Sequence, residues 1–547
     1  MSARRLVIGT LLSAAGAFGI AVQIQTPVSA LAGPPADCSD IASLALPGAA
    51  IAFATEIHEP FKVPGNGRNE LTVSAPFTFC RVALRLTPSS DSDIHAEVWL
   101  PAADKWNGRF LGVGNGGLSG NIWFTSMIRP LLRGYAVAGS DLGHTAPNAD
   151  WALGHPEKLA DYAHRADHVT AIAAKAIVAA HYGQGPRFAY FHGCSNGGHQ
   201  ALMEAQKYPD DYNGIIAGAP WNNWTDQVVE FAWRTAQVER IDKAKLPLIT
   251  KAVVAQCGGR DGGANGDQYL NDPRVCQFDP KALQCKGGDG PNCLTAAEVE
   301  AVRKVYAGPS QGNRSLFPGF EPGSESAWST SVGTFTTNLY RSMVYPSNTT
   351  WDVRSFNFVD DAAAIHKTLG TLIDSNSTDM KAFRSHGGKI LMWHGWTDTT
   401  LEPRASIRYY NRVVAASASG AKGADADRAE LTDTQNYFRL YMAPGVNHCG
   451  GGPGPGSTFA YTMNNPEGPV DPEHDALSAL ERWVETGKAP ETFASSHVTE
   501  GKVDRTRLLC TYPKVARYRS GDVNVPASFA CEDDWSGFKR DRAEALR

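Results

Sequence analysis

Apolar residues recur along this chain with two different periods. In residues 77–86 and 94–100, apolar and polar positions alternate one by one. A period of two predicts strands with one solvated face, here an antiparallel pair at a sheet edge. Residues 108–113, 135–141, 188–191, 214–219 and 389–394 are instead short, near-continuous apolar runs. Runs of that kind suit strands covered on both faces of a parallel sheet. Residues 161–181, rich in alanine, and 199–208 have the spacing and composition of helices and fall between such runs. Strands alternating with helices predict a mainly parallel α/β sheet, with the first pair extending it as an antiparallel edge.

The alternation stops at about residue 221 and resumes with the run at 389. The stretch 221–385 is rich in Gly, Asp, Asn and aromatic residues and holds four of the cysteines, which predicts an insertion between two sheet strands. Inserted segments over sheet ends commonly shape pockets, so a lid is expected there. Beyond it, 438–442 reads as another strand, 415–427 as a mobile surface loop and 475–486 as a late helix.

Composition narrows the class. The chain has 547 residues, 20% of them charged, and a net charge of −5. With no basic stripe, nucleic acid is not an expected partner. The start carries Arg4 and Arg5, an apolar stretch over 6–22, and Ala30-Leu31-Ala32. This pattern predicts a signal peptide over 1–32, cleaved after Ala32, and a soluble protein that is secreted or periplasmic, with no membrane association after cleavage.

That compartment permits disulfides, and the cysteines number ten. Neighbours in sequence suggest Cys38 with Cys80, Cys257 with Cys276, Cys285 with Cys293 and Cys510 with Cys531. Cys194 and Cys449 are left over, and connectivity is not fixed by sequence alone. The absence of Cys-x-x-Cys pairs disfavours zinc.

Gly193-Cys194-Ser195-Asn196-Gly197 matches the Gly-x-Ser-x-Gly elbow, in which small flanking residues let a strand turn sharply into a helix and expose the serine hydroxyl. A strand-like run precedes it and a helix-forming stretch follows. Such a serine needs a base and a group to orient that base, in the chain order Ser, Asp or Glu, His. Asp398 follows the run at 389–394, and His448 follows the strand at 438–442. His144, His164 and His168 lie upstream of the elbow, against that order, and His394 falls within a strand. A bond between Cys194 and Cys449 would bring Ser195 and His448 into one small volume, because each cysteine adjoins one of them. For the oxyanion, the backbone amide of Asn196 and one from the loop 113–120 are expected, Gly117 first and Gly116 next. That loop lacks the Lys and Ser or Thr of a phosphate-binding loop.

Cys194-Ser195, Asp398 and His448-Cys449 resemble the Cys-Ser, Asp, His-Cys signature of the tannase and feruloyl esterase family, which includes mono(hydroxyethyl) terephthalate hydrolases. The resemblance extends to Asp161-Tyr162-Ala163-His164-Arg165-Ala166 and to 208–220, 306–309 and 510–513. It implies an α/β-hydrolase fold with a large inserted lid. The catalytic domain would then comprise 33–220 and 386–547, with the lid at 221–385. It also implies serine carboxylester hydrolysis through an acyl-enzyme, without a cofactor for the chemistry, and five bridges that include Cys194 to Cys449.

The expected substrate is a small-molecule ester of an aromatic, phenolic acid such as gallate, ferulate or chlorogenate. A terephthalate monoester, a non-catalytic secreted binding protein and a thiol nucleophile at Cys194 are the alternatives. Family members often hold structural calcium in the lid, and the matching stretch here is 257–267. Asp261 stands, whereas Gly258 and Asn265 occupy positions where aspartates are expected. With Asn265 and the backbone oxygens of Gly263 and Asp267, a weakened site is implied. Phe335, Tyr340, Trp351, Phe356 and Phe358 offer aromatic surface for a planar acyl group, or packing for the lid. Arg341 is a candidate partner for a carboxylate, or a solvated surface arginine.

Overall fold

The computed structural model describes residues 34–64, 70–145, 148–312, 314–417, 425–457, 459 and 468–547. The expected signal peptide, and 418–424 of the expected mobile loop, lie outside the described residues.

Among the described residues, nine strands form the central sheet. They are β1 (Ala49–Ile57), β2 (Phe79–Leu86), β3 (Ile94–Pro101), β4 (Arg109–Val113), β5 (Ala136–Ser140), β6 (Phe188–Cys194), β7 (Gly214–Gly218), β8 (Lys389–Gly395) and β9 (Phe438–Ala443). Their spatial order is β1-β2-β3-β5-β4-β6-β7-β8-β9. β1, β2 and β3 pair antiparallel, as do β3 and β5, and every pairing from β5 to β9 is parallel. The alternating runs thus form the antiparallel edge and the continuous runs the parallel centre. The sequence reading missed β1, whose outward positions carry no regular apolar alternation.

Both faces of the centre are covered, and adjacent residues serve opposite layers. Phe110, Phe191, Ile215, Ile390 and Met392 enter one apolar cluster. Their neighbours Leu111, Tyr190, Ile216, Leu391 and Trp393 enter another. The helices Ala166–Tyr182 and Asn196–Lys207 supply Ile177, Val178, Ala201 and Leu202 to the first layer, and the late helix Ala476–Thr486 supplies Leu477, Leu480 and Trp483 to the second.

The segment between β7 and β8 is mostly helical, where the sequence showed only a loss of alternation. It includes Trp224–Val238, Leu246–Cys257, Ala296–Ala307 and Val332–Leu339. Thr295 and Glu298 start the third of these with a reciprocal capping box. Residues from Val238 to Trp328 build a small core of their own. Trp224, Phe231, Leu339, Tyr340, Trp351 and Ile365 instead join the cluster on the sheet. Among the described residues, no helix is long and apolar enough to cross a membrane.

Candidate active site

The strand β6 ends at Cys194, and Ser195 occupies the N-cap of the helix Asn196–Lys207. Its backbone has φ 65° and ψ −122°, a region that non-glycine residues rarely adopt and that stores strain at functional sites. The turn closes only because its flanks are glycine. A Cβ on Gly193 would lie 2.3 Å from the carbonyl oxygen of Gly197. The Ser195 amide donates to Gly218 O at 3.0 Å, which ties the elbow to β7.

Asp398 follows β8 and His448 follows β9, so adjacent parallel strands deliver both to the same end of the sheet. His448 Nδ1 lies 2.7 Å from Asp398 Oδ2. The other oxygen, Oδ1, accepts the amides of Thr400 at 2.8 Å and Leu401 at 3.0 Å. Burial of Asp398 pushes its carboxyl up, but the charge of His448 and hydrogen bonds from His394 and His448 outweigh it. The net effect holds the group well below the usual carboxylate range. His394, a rival base in the sequence, therefore belongs to the site in another capacity. Its Nε2 lies 3.0 Å from the same Oδ2.

Cys194 and Cys449 are bonded, with their α carbons 5.9 Å apart across a sequence separation of 255. Cys38–Cys80, Cys257–Cys276, Cys285–Cys293 and Cys510–Cys531 are the other bridges, and no cysteine is free. A thiol nucleophile at Cys194 is excluded by its bond.

The loop after β4 rests on the elbow. The Asn115 amide donates to Gln200 Oε1 at 2.9 Å, and Asn115 Nδ2 donates to Asn121 O and Ser140 O, each at 2.8 Å. Gly116 is pressed against the Trp123 ring, whereas Gly117 has φ +57° and open space where a side chain would stand. The buried Tyr162 hydroxyl lies 2.9 Å from Gly117 O and 3.1 Å from Asn196 Oδ1. It joins the two residues expected to supply oxyanion amides, a link the sequence reading missed although Tyr162 stood in a quoted motif.

The remaining histidine rivals are engaged elsewhere. His144 Nε2 contacts Leu118 O, His164 Nδ1 contacts Tyr208 Oη, and His168 Nδ1 contacts Asp211 Oδ2. Arg341 is half-buried, and its Nε donates to Trp351 O at 2.7 Å. Tyr340 stacks on Trp351 with ring centroids 4.3 Å apart. Phe356 packs edge-on to Tyr340, and Phe335 packs on Trp221 and Phe231. Phe358 packs on Phe356 and Trp233. These rings build the interior of the insertion.

In the loop matching the family's calcium site, Asp261 Oδ1 accepts the Gly263 amide at 3.0 Å and Oδ2 accepts the Asn271 amide. Asp267 Oδ1 pairs with the buried Arg507 guanidinium at 2.7 Å, and its Oδ2 accepts the Ala264 amide at 3.2 Å. Asn265 Oδ1 points towards Gly259.

A mostly parallel sheet carrying a serine elbow, an acid loop and a histidine loop at one end places the chain in the α/β-hydrolase class. A model of "Tannase and feruloyl esterase" matches residues 80–532. The chain belongs to that family and is a carboxylic ester hydrolase. It is similar to an uncharacterised esterase of Xanthomonas campestris, 36% identical over 93% of each chain. It is likewise similar to a probable feruloyl esterase of Arthroderma benhamiae, 30% identical over 91% of this chain and 94% of that protein. Among solved structures, feruloyl esterase B from Aspergillus oryzae superposes with a TM-score of 0.82 at 28% identity, covering 90% of this chain and 99% of that one. Enzyme membership sets aside the reading as a non-catalytic binding protein.

Proposed function

We propose that the protein is a secreted serine esterase that cleaves small esters of phenolic acids, ferulate, gallate and chlorogenate among them, through an acyl-enzyme. The observation that carries this reading is the 2.7 Å contact of His448 Nδ1 with Asp398 Oδ2, on a loop that the Cys194–Cys449 bond fastens to Ser195. Because Nδ1 is occupied, Nε2 is the nitrogen left to take the serine proton. Ser195 Oγ attacks the ester carbonyl as its proton passes to His448 Nε2, and the amides of Asn196 and Gly117 hold the oxyanion. The alcohol leaves with that proton. Water then repeats the sequence on the acyl-enzyme and releases the acid. The names of the relatives support a phenolic acyl group, and the signal pattern with five bridges supports secretion.

A fluorophosphonate is expected to stop turnover of methyl ferulate, methyl gallate or chlorogenate and to add one mass increment to the peptide containing Ser195. Label on any other residue, or failure to cleave all three esters, overturns the reading.

The chemistry so described uses no cofactor, and the Asp261 loop does not suit calcium. Both carboxylates already accept N–H donors, and Arg507 supplies the positive charge beside Asp267. The melting temperature in EDTA is expected to equal that in millimolar calcium, and Arg507→Met is expected to lower it in both. A bound ion would raise the melting temperature with calcium concentration, and such a rise would overturn this part of the reading.

A further inference from the structure

We propose that His394 is a positioning residue for the reaction, holding Asp398 through a second N–H on the oxygen that binds His448 and so extending activity to lower pH. The inference rests on the esterase mechanism above. His394 stands at the end of β8, buried, four residues before Asp398. An ionised carboxylate only accepts, so His394 donates from Nε2 at 3.0 Å. Its Nδ1 lies 2.8 Å from Ser406 Oγ, on the helix Pro403–Ala416. With the proton on Nε2, Nδ1 is the acceptor and the Ser406 hydroxyl donates, which fixes the tautomer and the ring plane.

Asp398 Oδ2 therefore divides its charge between two histidine N–H groups. A carboxylate that serves two donors stabilises the His448 imidazolium less than one that serves His448 alone. Removing one donor returns that charge to the other, so the acidic limb of the rate profile is the readout of the His394 contact. Other charged groups surround the acid loop. Arg234, on the helix Trp224–Val238, donates to the carbonyls of Thr399 and Thr400 and has Glu230 3.5 Å away. Buried Glu402 caps the helix that bears Ser406, accepting the Ala405 amide at 3.0 Å. Arg404 follows it and pairs with Glu321 at 3.2 Å and with Glu544. None of these contacts involves His394, so a change in the pH profile reports the imidazole.

The test is the pH dependence of kcat/KM on a phenolic ester for wild type, His394→Leu, His394→Gln and Ser406→Ala. Removing the donor in His394→Leu is expected to lower kcat roughly tenfold to a hundredfold and to raise the midpoint of the acidic limb by about one pH unit. The glutamine amide reaches the same oxygen and is expected to restore the wild-type midpoint. Ser406→Ala keeps the ring but frees it, and should move the midpoint the same way by a smaller amount. Lower kcat in His394→Leu with an unmoved limb overturns the proposal, as does glutamine behaving like leucine. If His394→Leu does not fold, an unmoved limb in Ser406→Ala overturns it. A wild-type enzyme without phenolic esterase activity would instead sink the mechanism on which the proposal rests.

Discussion

Asp398→Asn is expected to lower kcat/KM on a phenolic ester by about four orders of magnitude, the scale set when a triad acid loses its charge and its histidine takes the wrong tautomer. The hydrogen bonds around Asp398 make the outcome specific. The amides of Thr400 and Leu401 pin the amide oxygen at the Oδ1 position. Its NH2 must then stand at Oδ2, facing the ring nitrogens of both His448 and His394. Two donors meet a third, so His448 gives up its Nδ1 proton or turns away.

Stability moves with it. The folded-state carboxyl lies below its unfolded value, near 4. Its contribution is therefore present above about pH 4 and is lost as pH falls through the depressed folded value. The melting temperature of Asp398→Asn should lie below wild type at pH 7, and the two curves should converge on acidification below pH 4. Retention of a tenth of the wild-type rate would show that Asp398 does not orient the base.

The double replacement Cys194→Ser, Cys449→Ser is expected to remove most of the activity and, in the chain-entropy model, about 5 kcal/mol of stability. A closure spanning 255 positions lies at the long end of that model. The loss of rate has a separate origin. Cys449 itself has φ +59°, and the histidine loop also hangs on Asn447 and on the amides of Val446 and Gly451. Without the bond, nothing covalent fixes the distance from His448 to Ser195, and small misplacements are costly in rate. Denaturant unfolding and single-turnover kinetics on the double variant separate the two effects. A folded variant with wild-type kcat would overturn the positioning role.

The elbow was legible because its tightest requirement is local: glycine at 193 is demanded by the approach of Gly197 four residues on, whereas Gly197 itself meets the backbone of Gly114 and Asn115 in the loop after β4. Asp398 and His448 were legible by order along the chain, and the four nearer cysteine pairs by proximity in sequence. The second contact of Asp398 was not. His394 and Asp398 stand four apart in the sequence, yet their meeting depends on the chain reversing after β8. Tyr162, Arg507 and Arg341 act on partners 45, 240 and 10 residues away, and no local pattern marks such pairings. The insertion's helices were obscured by glycine, aspartate and asparagine between them, and β1 by alanines and an exposed Phe53 that leave its open side without a polar alternation.

The insertion has two unequal parts. Its stretch from Val238 to Trp328 has an apolar cluster of its own, while the flanking stretches share theirs with the sheet. The outer part is nonetheless tied to the rest of the fold: Asp267 pairs with Arg507, Arg274 with Asp534 and Asp541, Glu321 with Arg404, and Ala264 packs with Cys510 and Phe529. For anyone building hybrids between these enzymes, seams near residues 238 and 328 spare the apolar layer shared with the sheet, but Arg404, Arg507, Asp534 and Asp541 must then travel with the insert.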